Sequence, residues 1–196
     1  KGLKEERSRS FNASVDWYHY FGDFQANLLV EGFYTKLSDP FVLTPPVKDP
    51  DGSAYLIQTR INGSGAKVYG GTLEGKVAYK DKVQLQAGLT LQRSIYDSPE
   101  EWSADEEHLS EKERYSDKIL RTPDVYGYFT ATYMPVKAFS IALNGNYTGR
   151  MYVPHLLSEV NGEADVLVKS PDFFELGTKI AYDFDFQGFC LQLNAG

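Results

Sequence analysis

Aromatic and histidine side chains lie close together in two irregular stretches of the sequence. Each of these side chains combines a flat apolar surface with a hydrogen-bonding group, a combination that suits contact with a bulky ligand. Packing within loops or exposure to solvent is the alternative explanation for their presence. The candidate ligand-binding residues are Tyr96, Trp102, His108, Tyr152 and His155.

An acidic stretch between Glu100 and Asp117 surrounds two of these candidates. Carboxylates are the ligands that a divalent cation prefers, but this stretch lacks the spaced Asp/Asn and Gly residues of a calcium loop. The composition therefore favours a solvated loop and predicts no metal site. Its acidic residues include Glu100, Glu101, Asp105, Glu106, Glu107, Glu111 and Glu113.

Catalytic patterns are missing from the sequence. It contains no nucleophile elbow, phosphate-binding loop, paired Cys/His cluster or HExxH motif, so we predict no enzyme and no cofactor. Cys190 is the only cysteine and is interpreted as a small packing residue. His19 lies beside Trp17 and is interpreted as an interfacial residue rather than a ligand. The net charge of -7 argues against a nucleic-acid partner.

The segments that must position the candidates alternate between apolar and polar residues. Between Lys67 and Gln92, for example, Leu73, Val77 and then Leu85 alternate with polar neighbours. A period of two predicts strands, and these runs outlast the usual strand of ~5–6 residues. Strands of ~9–11 residues with one apolar face are typical of a transmembrane β-barrel. No run of ~18 apolar residues is present, which excludes a transmembrane helix.

The first strand of this segment is expected to open at Tyr55. Four glycines interrupt it, and we interpret them as bulges or close backbone approaches, with a short hairpin near Gly63 as the alternative. These glycines are Gly63, Gly65, Gly70 and Gly71.

About eight strands follow from the alternation, and their connections alternate between short and long. The sequence therefore predicts an all-β fold, an antiparallel up-and-down transmembrane β-barrel wall with tight periplasmic turns and large extracellular loops. The turns are expected near residues 22, 81, 136 and 187, and the loops at residues 37–54, 97–122 and 151–171.

Aromatic residues cluster at both ends of the predicted strands and predict two belts at the level of the lipid headgroups. Beside the short turns they are Trp17, Phe21, Tyr79, Tyr133, Phe139 and Tyr182. Beside the long loops they are Phe33, Tyr34, Tyr55, Tyr96, Tyr147 and Phe173.

The strand count leaves the size of the barrel open. Eight strands can close by themselves and form a complete small outer-membrane barrel with a structural or adhesive role. The sequence ends in mid-strand, however, and amides such as Gln84, Gln86 and Asn144 suit a wide wet lumen, which favours a piece of a larger barrel. A soluble β-sandwich that binds a ligand or partner is the third hypothesis.

Four segments resemble motifs of TonB-dependent outer-membrane receptors. Residues 2–8 (GLKEERS) are similar to the LKPExS signature, with Glu5 in place of proline. Residues 62–74 resemble the N-x-G-x-A-R-x-x-G-x-E-L-E strand, with Lys67 in place of arginine and Thr72 in place of an acid. Residues 148–154 and 191–196 resemble a late strand-to-loop junction and the start of a later strand.

The resemblance implies a piece of a 22-stranded barrel in the outer membrane of a Gram-negative bacterium, truncated at both ends. Such receptors bind a scarce, bulky nutrient, namely a ferric siderophore, haem, cobalamin or a glycan. They import it with energy that TonB delivers through a plug domain. The implied partners are outer-membrane lipid, the missing plug domain and barrel strands, TonB through that plug, and a small-molecule or metal-chelate ligand.

Overall fold

The computed structural model of the chain describes residues 2–49, 51 and 55–196. Residues 50 and 52–54, which belong to the predicted loop 37–54, lie outside the described residues, as does residue 1. The segments with alternating residues form long strands, and shorter strands and one short helix lie between them. The strands are β1 (Arg7–Phe21), β2 (Phe24–Ser38), β3 (Phe41–Leu43), β4 (Val47–Lys48), β5 (Leu56–Ile57), β6 (Arg60–Asn62), β7 (Ala66–Tyr79), β8 (Val83–Glu101), β9 (Tyr115–Lys118), β10 (Val125–Val136), β11 (Phe139–Thr148), β12 (Tyr152–His155), β13 (Val166–Lys169), β14 (Phe173–Phe186) and β15 (Phe189–Ala195), and the helix is α1 (Ser158–Asn161).

Eight long strands form one antiparallel sheet in the order β1-β2-β7-β8-β10-β11-β14-β15, and β9 pairs with β8. Each long strand therefore pairs with the next long strand along the chain, which confirms the predicted all-β, up-and-down arrangement. In the sheet, as the structure describes it, β1 and β15 are the two edge strands. The small ladders β3–β6, β4–β5 and β12–β13 lie in the long connections.

Short turns join the long strands at one end of the sheet. Gly22 and Gly188 have positive φ angles of 59° and 101°, and Lys80 has a φ of 48° in the turn after β7. Glycine adopts this conformation without a steric cost, which explains its use in turns of two residues. The third turn follows Val136, because β10 continues through Pro135 with a register shift after Tyr133.

Three long connections lie at the opposite end of the sheet. The first connection comprises residues 39–65, the second 102–124 and the third 149–172. The expected opening of a long strand at Tyr55 is wrong, since β7 begins at Ala66 and β5 and β6 belong to the first connection. Gly65, with a φ of 109°, turns the chain just before β7.

Gly70 is a close approach, as predicted, and no bulge. Pairing continues on both sides of it, with Phe33 on β2 and Gln92 on β8. A Cβ atom at Gly70 would overlap the carbonyl oxygen of Leu91 and lie 2.8 Å from the Cα of Gln92. The neighbouring strand is therefore packed against bare backbone at this position.

The register aligns apolar side chains in continuous rows on one face of the sheet. Val15 pairs with Val30, Val30 with Leu73, and Leu73 with Leu89. Directly paired residues point to the same face, so these four side chains form one row. They remain largely exposed, with Val15 at 71%. Such a face suits hydrocarbon, and the described residues place no second sheet over it, contrary to the sandwich hypothesis.

Polar side chains occupy the opposite face and bond to one another across strands. The amide of Gln86 donates to Glu74 Oε1 at 2.8 Å and to the hydroxyl of Tyr128 at 3.0 Å. Tyr128 in turn donates to the second carboxylate oxygen of Glu74. The hydroxyls of Thr72 and Thr90 lie 3.0 Å apart. Polar side chains of this face thus bond to one another across strands, as in a barrel interior, although the buried Ser94 hydroxyl on the same face has no hydrogen-bond partner within the described residues.

The pairing register shows which residues of the two predicted aromatic belts lie on the apolar face of the sheet. All six residues of the turn-side belt share the apolar face. Phe33, Tyr96 and Phe173 instead pair with Gly70, Ala66 and Thr148 and lie on the polar face. Tyr55 precedes β5 in the first connection and lies outside the large sheet. Four of the six residues of the predicted loop-side belt are therefore wrong, because nearness to the strand end does not determine the face. In the described part of the chain, no helix has the length and apolar character needed to cross a membrane.

Candidate ligand-binding site

The second connection is built on an extension of the sheet. β8 continues to Glu101, beyond the predicted start of a loop at residue 97, and β9 returns alongside it. Glu101 pairs with Tyr115 and Ile95 with Lys118, with a register shift between them. The acidic stretch is therefore partly strand rather than entirely solvated loop. Arg114 neutralises part of it through ion pairs with Glu101 at 2.7 Å and Glu106 at 3.2 Å.

A wide cavity of about 740 Å³ opens between the second and third connections. The second connection supplies Tyr115, two lysines on either side of it in the sequence, and two carboxylates. The third connection supplies an aromatic and an aliphatic side chain. Flat apolar surfaces and charges of both signs therefore face the same space. The lining residues are Pro99, Glu111, Lys112, Tyr115, Ser116, Asp117, Lys118, Tyr152 and Leu167.

A narrow cleft of about 300 Å³ also borders β9 and adds the first connection to its walls. Tyr96 and Trp102 line it, together with Pro45 of the first connection and Pro154 of the third. Ser116 and Lys118 of β9 line both spaces. The cleft and the wide cavity are thus neighbours that share β9 in their lining.

Three of the five candidates predicted from the sequence meet around β9. Tyr96 and Trp102 contact the narrow cleft, and Tyr152 contacts the wide cavity. Trp102 is buried, and its indole Nε1 donates to the carbonyl oxygen of Glu113 at 2.9 Å. The ring of Tyr152 has the Lys118 Nζ at 4.5 Å and the Lys169 Nζ at 5.7 Å from its centroid. Cation–π contacts of this kind fix the orientation of the ring.

The two histidines lie apart from these spaces. His155 is exposed at the end of β12, opposite Val166. His108 contacts Asp105, with its Nδ1 at 2.9 Å from Asp105 Oδ1. Neither histidine lines the wide cavity or the narrow cleft. Within the described residues, no group of three or more His, Cys, Asp or Glu side chains could hold a metal ion.

Buried polar residues join the second connection to the third, and sequence reasoning missed their role. Ser103 Oγ donates to Asp165 Oδ2 at 2.6 Å, and the Asp165 backbone N–H donates to Asp105 Oδ2 at 3.0 Å. We call Ser103, Asp105, His108 and Asp165 the carboxylate latch. Ser103, Asp105 and Asp165 are 0%, 4% and 2% exposed. No pattern in the sequence marks contacts between residues about sixty positions apart.

The latch keeps its carboxylates ionised despite their burial. Burial alone would raise the pKa of Asp105, but hydrogen bonds from the Asp165 backbone and from His108 outweigh it and lower the pKa. Burial likewise opposes ionisation of Asp165, whereas donors from Ser103, Ser158 and Leu157 lower its pKa. The hydrogen bond to Asp105 raises the pKa of His108 above its ordinary value.

The whole chain, residues 1–196, matches the family model described as TonB dependent receptor-like, beta-barrel. The chain belongs to this family of TonB-dependent receptor barrels. The family is one of transport receptors rather than enzymes. No curated protein sequence matches the chain.

Solved TonB-dependent receptors share the fold of the chain. The ferric-catecholate import receptor Fiu from E. coli K12 has a TM-score of 0.59 and 14% identity, over 98% of this chain and 23% of that receptor. The copper transporter OprC has a TM-score of 0.55 and 14% identity, over 94% of this chain and 24% of the transporter. The siderophore receptor PirA from Acinetobacter baumannii has a TM-score of 0.54 and 12% identity, over 91% and 26%. The chain thus spans about a quarter of the length of these barrel proteins.

Proposed function

We propose that the chain forms part of the barrel wall of a TonB-dependent receptor in the outer membrane of a Gram-negative bacterium. The receptor binds a scarce, bulky nutrient at its outer face and imports it with energy delivered by TonB through a plug domain. The nutrient belongs to the class of ferric siderophores, haem, cobalamin or glycans. The chain contributes eight strands of a 22-stranded barrel and three extracellular connections.

The observation that carries this proposal is the division of the molecule into a lipid-suited wall and a folded outer end. Uncovered apolar rows run across the sheet, and on the opposite face polar side chains bond to one another across strands. At one end the connections enclose two neighbouring spaces lined by aromatic rings. A passive wall needs only short connections, whereas ligand capture needs an outer surface of defined shape.

The ligand contacts are proposed to centre on β9. Tyr96, Trp102 and Tyr152 offer ring surface to the two spaces, and Lys118 lies between them. The aromatic surfaces together with charges of both signs fit a ligand that has apolar and polar groups. His108 and His155 have a weaker place in this proposal, because they line neither space.

Growth on a limiting nutrient tests the function. The complete receptor that contains this chain is expressed in a receptor-deficient Gram-negative strain, which is supplied in turn with ferric siderophores, haem, cobalamin and glycans. We expect growth on one class, and loss of that growth when TonB is deleted. Tyr152→Ala should raise the nutrient concentration needed for half-maximal growth, whereas Tyr133→Ala, in the turn-side belt, should leave it unchanged. Uptake that persists without TonB, or no uptake of any class, would contradict the proposal.

A complete small barrel is the second candidate, favoured by the presence of eight long strands. It requires β1 and β15 to pair, but the described residues place these strands at opposite edges of the sheet. Paired cysteines introduced into β1 and β15, in a variant with Cys190→Ser, decide between the two candidates. Efficient disulfide formation in the membrane would support the small barrel, and none is expected for the wall of a larger receptor.

A further inference from the structure

We propose that Asp105 and Asp165 are positioning residues that lock the second and third connections together and thereby fix the walls of the wide cavity. This inference deepens the proposed function and takes its meaning for ligand capture from it. The lock itself follows from the contacts of the carboxylate latch, whatever the ligand is.

The carboxylates of Asp105 and Asp165 each accept hydrogen bonds from both connections. Asp165 Oδ1 accepts the backbone N–H groups of Leu157 and Ser158 at 2.7 and 2.8 Å, so it also organises the start of α1. Its other oxygen accepts the Ser103 hydroxyl from the second connection. The Ser103 hydroxyl oxygen in turn accepts the Asp105 backbone N–H at 3.0 Å. The two loops are therefore joined by a closed circuit of buried hydrogen bonds.

Both carboxylate oxygens of Asp105 already accept hydrogen bonds. Its Oδ1 accepts the His108 backbone N–H at 3.1 Å and faces the His108 ring, and its Oδ2 accepts the Asp165 backbone N–H. Removing a partner from a buried network leaves an unsatisfied group, which costs more than the net gain of a single hydrogen bond. The charged groups around this network are Glu107 and the His108 imidazole, besides Asp105 and Asp165 themselves.

The cavity depends on this joint because its lining comes from both sides of it. Residues 111–118 belong to the second connection, while Tyr152 and Leu167 belong to the third. Besides the latch, the Arg121 backbone N–H donates to the Tyr152 carbonyl at 2.8 Å near the sheet. Lys118 of the second connection also lies 4.5 Å from the centroid of the Tyr152 ring in the third. The latch is the buried joint among these contacts, and without it the described connections keep only the contacts made by Tyr152.

The two aspartates respond differently to replacement by the isosteric amide. In Asp105→Asn the new NH₂ group must face a backbone or ring N–H, whichever way the amide is turned. In Asp165→Asn the amide oxygen can still accept from Leu157 and Ser158, and its NH₂ group can donate to the Ser103 hydroxyl. We therefore expect Asp105→Asn to open the latch more than Asp165→Asn or Ser103→Ala. Glu113→Gln is the matched control, because Glu113 accepts two bonds from Ser110 at one oxygen, within the second connection alone.

Distance measurements by electron paramagnetic resonance test the proposal in the complete receptor. Spin labels are attached to cysteines at the exposed positions Glu107 and Glu163, in a Cys190→Ser background because Cys190 is an exposed thiol. We expect one narrow distance in the unmodified latch and in Glu113→Gln. Asp105→Asn should add a second, open population, with an open-to-closed ratio raised by roughly 5- to 150-fold.

Heat-modifiable migration of each variant confirms that the barrel is folded, so a change in distance reports on the connections. A narrow distance in Asp105→Asn with a folded barrel would overturn the proposal. If Asp105→Asn fails to fold, Ser103→Ala, which removes an uncharged partner of the latch, takes its place. An unchanged distance in Ser103→Ala would likewise overturn the proposal. Failure of the wild-type receptor to import any nutrient would overturn the proposed function and leave the distance result valid.

Discussion

The wall of the sheet and the outer connections place apolar and polar side chains in opposite ways. On the wall, large apolar residues such as Val15 and Leu176 are among the most exposed side chains. In the connections, Ser103, Asp105 and Asp165 are among the most buried. A water-soluble protein does the reverse in both places. The wall is therefore organised by the solvent outside it, which we propose is lipid, whereas the connections are organised by contacts with one another.

The largest expected effect comes from placing a charge on the apolar face of the wall. Leu143 lies on that face of β11, between Ala131 and Thr178, and Asn144 lies on the polar face. Leu143→Lys should destabilise the folded barrel by about 2–4 kcal/mol, the range for a lysine at the bilayer midplane. Asn144→Lys is the control and should cost far less. Urea titration of the folded fraction in lipid vesicles measures both, and equal losses would show that the faces do not differ in solvent.

A smaller effect is expected inside the wall at its closest backbone approach. In Gly70→Ala the new Cβ overlaps the Leu91 carbonyl, so the adjoining strands must shift, and overpacking of this kind costs typically 1–3 kcal/mol. Gly75→Ala, on the same strand, meets nothing within 4 Å and serves as the control. The same urea titration compares them. If Gly75→Ala were as harmful as Gly70→Ala, backbone crowding would not be the cause.

The smallest effect is a pH response confined to the connections. The pKa of His108 is raised by Asp105, so the stability from this pair is complete below the ordinary histidine pKa and is lost as the pH rises through the raised value. Hydrogen exchange of residues 103–109, corrected for intrinsic rates, should become a few-fold faster above that pH. β10 and β11 should show no change. Equal acceleration in the wall would mean that the response is global.

At acidic pH the sign is reversed for the carboxylates. Asp105 and Asp165 have lowered pKa values, so their contribution is present above the ordinary carboxyl range and is lost as the pH falls through the lowered values. Exchange in residues 103–109 and 157–165 should therefore accelerate together at low pH. Acceleration in only one of the two segments would contradict a shared latch.

The wall was predictable because a period of two encodes which side chains share a face. Spacing alone predicts that Leu73 and Leu89 share one face, and their direct pairing confirms it. The same alternation places Phe33 and Tyr96 on the polar face, so the sequence contains the information that excludes them from the predicted belt. The opening of β7 was misplaced because apolar residues around Tyr55 resemble a strand, whereas the positive φ of Gly65 has no mark in the alternation.

The connections were predictable only in their order and approximate position, since the first is longer than the predicted loop 37–54 and the second begins after residue 97. Aromatic character identified Tyr96, Trp102 and Tyr152, which the structure brings to the two spaces beside β9. The sequence predicts that Asp105 belongs to a solvated acidic stretch, because a charged residue is rarely buried without a partner. Its carboxylate is satisfied by His108 from its own loop and by the Asp165 backbone N–H from the other. Sequence spacing carries no trace of such a contact between distant residues.

The two tryptophans of the chain lie one in each of the contrasted regions. Trp17 lies on the apolar face beside a short turn, and Trp102 is buried among the connections with its indole N–H bonded to a backbone carbonyl. Brominated acyl chains quench fluorophores that touch lipid, so they should dim the emission of Trp17 and spare that of Trp102. This chain therefore carries two built-in optical reporters, and of its own emission the part that survives quenching follows the connections.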